Sequence, residues 1–363
     1  MAEKSGQRRI DKLDRNFAPV RPEGELVWHD IRGLGLQGQG WPDVEHPYDR
    51  LPARARAAVR PAVWELSRHS AGLGVEFVTD ADRIAARWTL RFDCLALDHM
   101  PASAVSGLDL YVRQRGSWRW AGLGRVLQKE DNLWTLVSGM ARGQRTWRLY
   151  LPLYNGVESA RIGVPPGATL VPAPPRRGRA AKPICFYGTS ITQGGCASRA
   201  GMSYPAILGR RLDRPTINLG FSGNGQAEPE MASLLAELDP LAYVLDFVPN
   251  VPSGQLLKQR TGPLVQALRK ARPHTPIVLV EHIGYQQPRL VRDKYLDWTR
   301  RNAVLRKAYA SLTSAGVAAL HYVRQSAVMG EDGEATVDGI HPTDVGFLRI
   351  ADALEPVLRP LVG

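Results

Sequence analysis

Two short segments of the sequence contain residue types that could together carry out acyl transfer. The segment "PICFYGTSITQGG" ends an apolar run on a glycine and presents Ser190 two positions later. The segment "VDGIHPTDVGF" places Asp338 three residues before His341, with Gly339 between them to permit a sharp turn. A serine hydroxyl becomes an effective nucleophile when a base takes its proton and a carboxylate orients that base. These residues predict a relay from Asp338 through His341 to Ser190, whereas the alternative for Ser190 is an ordinary turn residue.

Two further loops offer hydrogen-bond donors for the negative charge that develops on a carbonyl oxygen during acyl transfer. The loop "NLGFSGNG" can present the backbone N–H of Gly223, and "DFVPNV" can present the side-chain amide of Asn250. A plain turn is the alternative for each. His282, which follows Glu281, is a rival to His341 as the base or a residue that lines the pocket.

The elements that must position these residues lie in the C-terminal half, where strand and helix patterns alternate from residue 183 to residue 363. Five apolar runs predict buried strands: "ICFYG", "PTINLGF", "LAYVLDFV", "PIVLVEH" and "VAALHYV". The intervening segments predict helices, and a last helix is expected to begin near Pro342, whose missing N–H suits a first helical turn. Such alternation predicts a parallel sheet covered on both faces, with ligands bound beyond the carboxyl ends of its strands. All the candidate residues named above follow such strand ends.

The N-terminal half has a different pattern and predicts an all-β domain. Residues 26–172 contain short runs rich in β-branched and aromatic residues, separated by turn residues, which is typical of a β-sandwich or jelly roll. Its one helical candidate, "RLPARARAAVRPAVWEL", is interrupted by Pro61. Residues 1–25 are interpreted as an N-terminal extension, and the proline-rich residues 173–182 as an exposed linker.

Composition narrows the function classes. The chain has 363 residues and a formal net charge of +12, but its arginines are scattered and no nucleic-acid-binding motif is present. Three cysteines without a CxxC pair argue against a disulfide framework or a zinc site, and no ligand spacing implies a metal or organic cofactor. The charged N-terminus is unlike a secretory signal, and no apolar run is long enough to span a membrane, so we expect a cytoplasmic protein.

The order of these motifs resembles the SGNH (GDSL-type) hydrolase superfamily, which has a three-layer α/β/α, flavodoxin-like fold. The match runs from Gly188-Thr189-Ser190-Ile191 through Gly223 and Asn250 to Asp338-x-x-His341. The resemblance implies that Ser190 is the nucleophile, that His341 is the general base and acid, and that Asp338 orients His341. It also implies an oxyanion hole formed by the N–H groups of Ser190 and Gly223 and by the amide of Asn250.

Two differences from the usual motifs of this superfamily point to one of its subgroups. Thr189 stands where an aspartate is usual, and Val248-Pro249-Asn250-Val251 lacks the usual glycine and aspartate around the asparagine. The subgroup it resembles carries a Gly-x-Asp-Leu-Tyr motif in an N-terminal β-sandwich, which here spans Gly107 to Tyr111. We expect a structural role for that motif, with Asp109 bonded to a neighbouring turn and Tyr111 in the sandwich core.

The sequence thus predicts a serine esterase that acts on short-chain acyl esters, foremost acetyl esters, of a sugar or another small hydroxylated compound. An acyltransferase that uses the same acyl-enzyme and a non-catalytic carbohydrate-binding protein are the alternatives. Trp28 and His29, which we expect in glycine-rich loops near the start of the sandwich, are candidates for a wall of the pocket. The expected partner is a small-molecule or carbohydrate ester, not a nucleic acid or a membrane, and a homo-oligomer is left open.

Overall fold

The computed structural model describes residues 10–14, 18, 20–284, 291–324 and 328–363. The N-terminal extension predicted for residues 1–25 lies partly outside these residues, and its described part contains a short helix, α1 (Ile10–Leu13). Two antiparallel sheets come first along the chain, and a parallel sheet with helices on both faces follows them. This arrangement confirms the predicted fold class.

The C-terminal half is built on a five-stranded parallel sheet in the order β12-β11-β13-β14-β15. By position along the chain this is the order 2-1-3-4-5, the flavodoxin-like arrangement. Its strands are β11 (Ile184–Gly188), β12 (Thr216–Gly220), β13 (Ala242–Asp246), β14 (Ile277–Val280) and β15 (Leu320–Val323). Its helices are α5 (Ser190–Gln193), α6 (Tyr204–Leu212), α7 (Pro229–Glu237), α8 (Gly254–Ala271), α9 (Arg292–Ser314) and α10 (Asp344–Val362).

Alternation of side chains along the interior strand β11 explains why both faces of this sheet are covered. Ile184 and Phe186 of β11 point into one apolar cluster, which α6 and α10 complete, while Cys185 and Tyr187 point into the other, completed by α7, α8 and α9. Successive side chains of a strand lie on opposite faces, so a continuous apolar run requires apolar partners on both. The sheet is therefore a rigid base for the loops at its carboxyl edge.

The N-terminal half forms the predicted β-sandwich. One sheet has the order β1-β9-β4-β7, and the other has the order β10-β3-β8-β5-β6 with β2 paired to β3. Apolar side chains between the sheets, including Trp88 and Trp147, form a separate core. The strands are β1 (Val27–Asp30), β2 (Leu36–Gln37), β3 (Gly74–Thr79), β4 (Ile84–Leu90), β5 (Leu108–Gln114), β6 (Ser117–Gly124), β7 (Asn132–Val137), β8 (Arg145–Tyr150), β9 (Val157–Val164) and β10 (Leu170–Pro172), and three short helices lie between them: α2 (Ala55–Ala58), α3 (Pro61–Ser67) and α4 (Ala102–Val105).

Three local expectations need correction. Pro61 does not break a helix but begins α3, because its missing N–H costs nothing at a first helical position. Pro342 lies before the last helix instead of inside its first turn, since Thr343 caps α10 by accepting a hydrogen bond from the N–H of Gly346. Trp28 and His29 lie in strand β1, paired with β9, and not in a loop.

The Gly-x-Asp-Leu-Tyr motif joins the two halves of the molecule. Asp109 is fully buried in β5 and accepts hydrogen bonds from the N–H of Gly201 at 2.8 Å and from Arg199 Nη1 at 2.8 Å. The expectation that Asp109 bonds a turn was therefore right, and the turn belongs to the C-terminal half. Tyr111 is not in the sandwich core as predicted, because it packs in the cluster shared with α6, under the guanidinium of Arg210.

Replacing Asp109 with alanine is expected to lower the free energy of unfolding by roughly 2–4 kcal/mol, because Arg199 would keep its charge without its buried partner. Urea unfolding measures this directly. The matched control is Asp93→Ala, which removes an exposed carboxylate paired with Lys129 and should cost less than about 1 kcal/mol. Equal losses in the two variants would contradict a joining role for Asp109.

Candidate active site

Ser190 is the first residue of α5 and follows β11, an interior strand of the parallel sheet, with Thr189 between them. Thr189 caps this short helix: its Oγ1 accepts the N–H of Ile191 at 3.2 Å, and Thr192 Oγ1 accepts the N–H of Thr189 at 3.3 Å. Thr189 is thus the N-cap of α5, a role that threonine and the aspartate usual at this position can both fill. Ser190 is only 6% exposed. As the first helical residue, it has a backbone N–H without an acceptor inside the helix.

The structure brings the three residues of the predicted relay together from opposite ends of the C-terminal half. His341 Nε2 lies 3.0 Å from Ser190 Oγ, and His341 Nδ1 lies 2.7 Å from Asp338 Oδ2. The other oxygen of Asp338 accepts the backbone N–H groups of Ile340 and His341 at 2.9 and 2.7 Å. Burial opposes ionisation of Asp338, but the hydrogen bonds from His341 and Ile340 outweigh it and lower its pKa to about 2. The carboxylate is therefore charged and fixed beside the imidazole.

The loop after β12 contains two glycines with different surroundings, and one of them packs against the end of β11. Gly225 packs so closely that a Cβ there would lie 1.9 Å from the carbonyl oxygen of Gly188. Gly223 has a φ of +68°, and no atom lies within 4 Å of its missing Cβ, so the space beside it is open. Asn250, in the turn after β13, accepts the N–H of Gly225 through Oδ1 at 3.4 Å. That contact turns the NH₂ end of the Asn250 amide away from Gly225.

Comparison with known proteins identifies the family. Residues 181–359 match the model of the GDSL-like lipase/acylhydrolase family, and residues 26–170 match the GxDLY model, the N-terminus of SGNH-hydrolase-type esterases. A GDSL-like lipase from Bacteroides ovatus ATCC 8483 is 32% identical, over 93% of this chain and 98% of that one, with a TM-score of 0.87. This chain belongs to the GDSL-like lipase/acylhydrolase family. The resemblance predicted from the sequence is confirmed for both halves.

More distant structures share the fold of this GDSL-like protein. The salicylyl-acyltransferase SsfX3 from a tetracycline biosynthetic pathway is 20% identical, over 93% of this chain and 97% of that one, with a TM-score of 0.75. The acetyl xylan esterase Est2A from the rumen bacterium Butyrivibrio proteoclasticus is 14% identical, over 93% and 98%, with a TM-score of 0.55. No curated protein matches the chain significantly. Across the described residues, no helix has both the length and the apolar character to cross a membrane.

The GDSL-like site contains a buried amide that the sequence analysis did not single out. Gln193, three residues after Ser190 and fully buried, accepts the N–H of Ser222 through Oε1 at 3.1 Å. Its Nε2 donates to the carbonyl of Leu153 at 3.0 Å and lies 3.1 Å from Nδ1 of His69. Burial, assisted by the nearby charge of Arg50, lowers the pKa of His69 to about 3, so His69 is neutral and its Nδ1 can accept that bond. Gln193 therefore ties the Gly223 loop to α5 and to the sandwich half.

We expect Gln193→Ala to lower kcat by about tenfold to a hundredfold with little change in KM, because the Gly223 loop would lose its orientation. Steady-state kinetics with a chromogenic ester measure both constants. The exposed Gln114→Ala serves as the control and should retain wild-type constants. A rise in KM at unchanged kcat would mean that Gln193 acts on ground-state binding instead.

Two more residues of the sandwich half reach the site. Tyr154 lies with its hydroxyl 3.4 Å from the carbonyl oxygen of Ser190, half-buried beside His69. His99 is exposed, with Nε2 3.9 Å from Asp338 Oδ2 and its ring edge-on to that of His341. Neither position has a sequence signal, because each is far from the hydrolase motifs along the chain.

The remaining candidate residues are His282, Trp28 and His29, whose surroundings differ from those of His341. His282 is buried; its backbone N–H donates to Asn302, and its Nδ1 accepts the N–H of Gly284. Burial lowers the pKa of His282 to about 4. His341, and not His282, contacts Ser190 Oγ, so a pocket-lining role for His282 stays a prediction, as it does for Trp28 and His29 in strand β1.

Asp246 is the last residue of β13. Its Oδ2 accepts hydrogen bonds from Thr192 of α5 and from Tyr204, each at 3.3 Å. Burial raises its pKa to about 7, although these two hydroxyls partly oppose the rise. A carboxyl whose pKa is raised by folding contributes stability that is present below its unfolded pKa, about 4, and is lost as the pH rises through about 7.

We therefore expect the free energy of unfolding of Asp246→Asn to increase relative to that of wild type as the pH is raised from 5 to 8. Urea unfolding of both proteins across this pH range measures the difference. A difference that does not change with pH would contradict the neutral state of this carboxyl.

Proposed function

We propose that this GDSL-like protein is a serine esterase that hydrolyses short-chain acyl esters, foremost acetyl esters, of a sugar or another small hydroxylated compound. The observation that carries the proposal is the continuous hydrogen-bonded relay Asp338–His341–Ser190, with contacts of 2.7 and 3.0 Å. Family membership supports hydrolase chemistry. The catalytic roles below are part of the proposal.

In the acylation step, Ser190 Oγ attacks the ester carbonyl and His341 Nε2 takes its proton. Asp338 holds the Nδ1–H of His341 and stabilises the positive charge that the imidazole acquires. The carbonyl oxygen becomes an oxyanion, and we assign its stabilisation to the N–H groups of Ser190 and Gly223 and to the amide of Asn250. His341 then returns the proton to the departing alcohol, and the acyl group remains on Ser190.

In the deacylation step, water takes the place of the alcohol. His341 removes a proton from the water as it attacks the acyl-enzyme, the same donors hold the second oxyanion, and the acid is released. Ser190 then regains its proton from His341. Donors fixed in a partly buried site need no reorganisation as charge develops, which makes their stabilisation effective.

The substrate class is supported by the names of structural neighbours. Est2A is described as an acetyl xylan esterase, and a protein from Cellvibrio japonicus is described as a family two carbohydrate esterase. Both cover 93% of this chain, including the sandwich. A carbohydrate acetyl ester is thus the substrate class that we test first.

A series of p-nitrophenyl esters from acetate to octanoate, together with an acetylated oligosaccharide, tests the proposal. We expect the highest kcat/KM with acetate and release of acetate from the sugar. Activity that rises with acyl length would contradict the short-acyl part. Sugar binding without turnover of any ester would favour a non-catalytic carbohydrate-binding protein.

An acyltransferase is the second candidate, because SsfX3, described as a salicylyl-acyltransferase, shares the fold of both halves. The same acyl-enzyme would then pass its acyl group to an alcohol in place of water. Product analysis with and without an acceptor alcohol separates the two functions. A new ester formed faster than free acid would favour the transferase.

A further inference from the structure

A cluster of soft and borderline metal ligands lies against the relay. His99, Cys196 and His341 each offer one ligand atom, and these atoms all lie within 4.8 Å of one another. Cys196 is buried, His341 is half-buried and His99 is exposed, so the cluster opens to solvent on the His99 side. Sequence patterns do not predict this cluster, because the three residues are far apart along the chain and match no metal-ligand spacing.

Three separate parts of the fold build this cluster. Gly195 approaches the base so closely that a Cβ there would lie 3.1 Å from His341 Cδ2, which brings the next residue, Cys196, beside the imidazole. Cys196 itself has a φ of +71°, an unusual conformation for a residue with a side chain. His99 comes from the sandwich half and packs edge-on against His341, with ring centroids 5.5 Å apart.

Two imidazole nitrogens and one thiolate form a donor set that suits Zn²⁺, with a fourth position left for water. Tetrahedral zinc with bonds of 2.0–2.3 Å separates its ligand atoms by about 3.3–3.8 Å. The upper limit of 4.8 Å in this cluster exceeds that range, so metal binding would draw the ligand atoms together, and His99 is the exposed side chain among the three. We propose that His99, Cys196 and His341 form an inhibitory binding site for Zn²⁺ or a cation of similar ligand preference.

Inhibition follows from the hydrogen bonds of His341. Metal bound at Nε2 would replace the contact with Ser190 Oγ, and metal bound at Nδ1 would replace the contact with Asp338 Oδ2. In either case the relay is interrupted, and the thiol of Cys196 releases its proton to solvent as it binds. The inhibitory consequence rests on the proposed esterase function, whereas metal binding itself does not.

Direct binding is therefore measured first, on the full chain in a non-thiol reductant. Co²⁺ is the spectroscopic probe, since a cobalt–thiolate bond gives a charge-transfer band in the near ultraviolet, and Zn²⁺ competition gives the affinity. We expect one metal per chain, loss of the band in Cys196→Ser, and zinc affinity lower by on the order of tenfold or more in His99→Ala. Ser190→Ala should bind as wild type does.

Two control variants remove the same residue types elsewhere. Cys94→Ser removes an exposed thiol, and His274→Ala removes an exposed imidazole; both should keep the cobalt band. A band that persists in Cys196→Ser, a band lost in Cys94→Ser, or no binding at micromolar metal would overturn the site.

The second arm measures esterase rates with and without Zn²⁺, expressed as a ratio within each variant so that basal rates need not match. Wild type should be inhibited reversibly, with activity restored by EDTA, and His99→Ala should require on the order of tenfold more zinc. Zinc that binds at the cluster without slowing turnover would overturn the inhibitory role. If wild type hydrolyses no ester, the proposed function fails, while the cobalt spectra still decide whether the site exists.

Discussion

Replacing Ser190 with alanine is expected to lower kcat for p-nitrophenyl acetate by about 10⁴- to 10⁶-fold. The variant loses the atom that forms the acyl-enzyme, and water cannot use the relay equally well because His341 Nε2 is aimed at the position of Ser190 Oγ. The remaining rate would come from the oxyanion donors and substrate binding. Steady-state hydrolysis followed at the p-nitrophenolate band gives the ratio.

Ser233→Ala is the matched control, because Ser233 is an exposed serine on α7 whose hydroxyl donates to the carbonyl of Pro229 in its own helix. Its rate should equal that of wild type. A Ser190→Ala variant that retained wild-type turnover would show that Ser190 is a turn residue and would remove the basis of the proposed mechanism.

Replacing Asp338 with asparagine is expected to lower kcat by about 10³- to 10⁴-fold. An amide removes the negative charge that stabilises the imidazolium, and its NH₂ group would favour the wrong tautomer of His341. Because Asp338 Oδ1 also accepts two backbone N–H groups, asparagine can keep the turn while losing the charge. The kcat value, with far-ultraviolet circular dichroism to verify folding, tests this.

Asp332→Asn provides the comparison in the same region, since Asp332 is an exposed carboxylate paired with Arg349. We expect its kcat to stay close to the wild-type value. Equal losses in Asp332→Asn and Asp338→Asn would mean that general loop damage, and not loss of the charge on Asp338, causes the effect.

The parallel sheet could be predicted from the sequence because its strands are continuous apolar runs and its helices are amphipathic. Strand β11, for example, has apolar side chains on both of its faces. A parallel sheet covered by helices on both sides is one of the few arrangements that bury such a run. The start of α10 was less predictable. Pro342 is compatible with a first turn, but the cap is made by Thr343, whose side chain competes for the same position.

The relay residues were also predictable, because Ser190 and the Asp338–His341 pair follow predicted strands along the chain. Each also has a glycine nearby, Gly188 before Ser190 and Gly339 within the pair. Gln193, Tyr154, His69 and His99 were not. Their contacts join the sandwich to the hydrolase half, as in the bond from Gln193 to the carbonyl of Leu153. Such packing depends on how two domains dock, which short-range periodicity does not encode. Tyr111 was assigned to the wrong core for the same reason.

The sandwich half thus contacts the loops that carry the candidate site residues. Asp109 fixes the turn at Gly201, Arg60 donates to the side chain and carbonyl of Asn224 next to Gly223, and His99 reaches Asp338. The two halves also share apolar clusters on the faces of the parallel sheet.

The most direct test of the central claim is the site of covalent labelling by a fluorophosphonate. The probe forms a phosphorus–oxygen bond to a serine activated by a base, with loss of fluoride, and intact-mass measurement followed by peptide mapping locates it. We predict one adduct per chain on the peptide that contains Ser190, no adduct in Ser190→Ala, and much slower labelling in His341→Ala. Active wild-type protein that stays unlabelled, or that is labelled at another residue, would contradict Ser190 as the nucleophile.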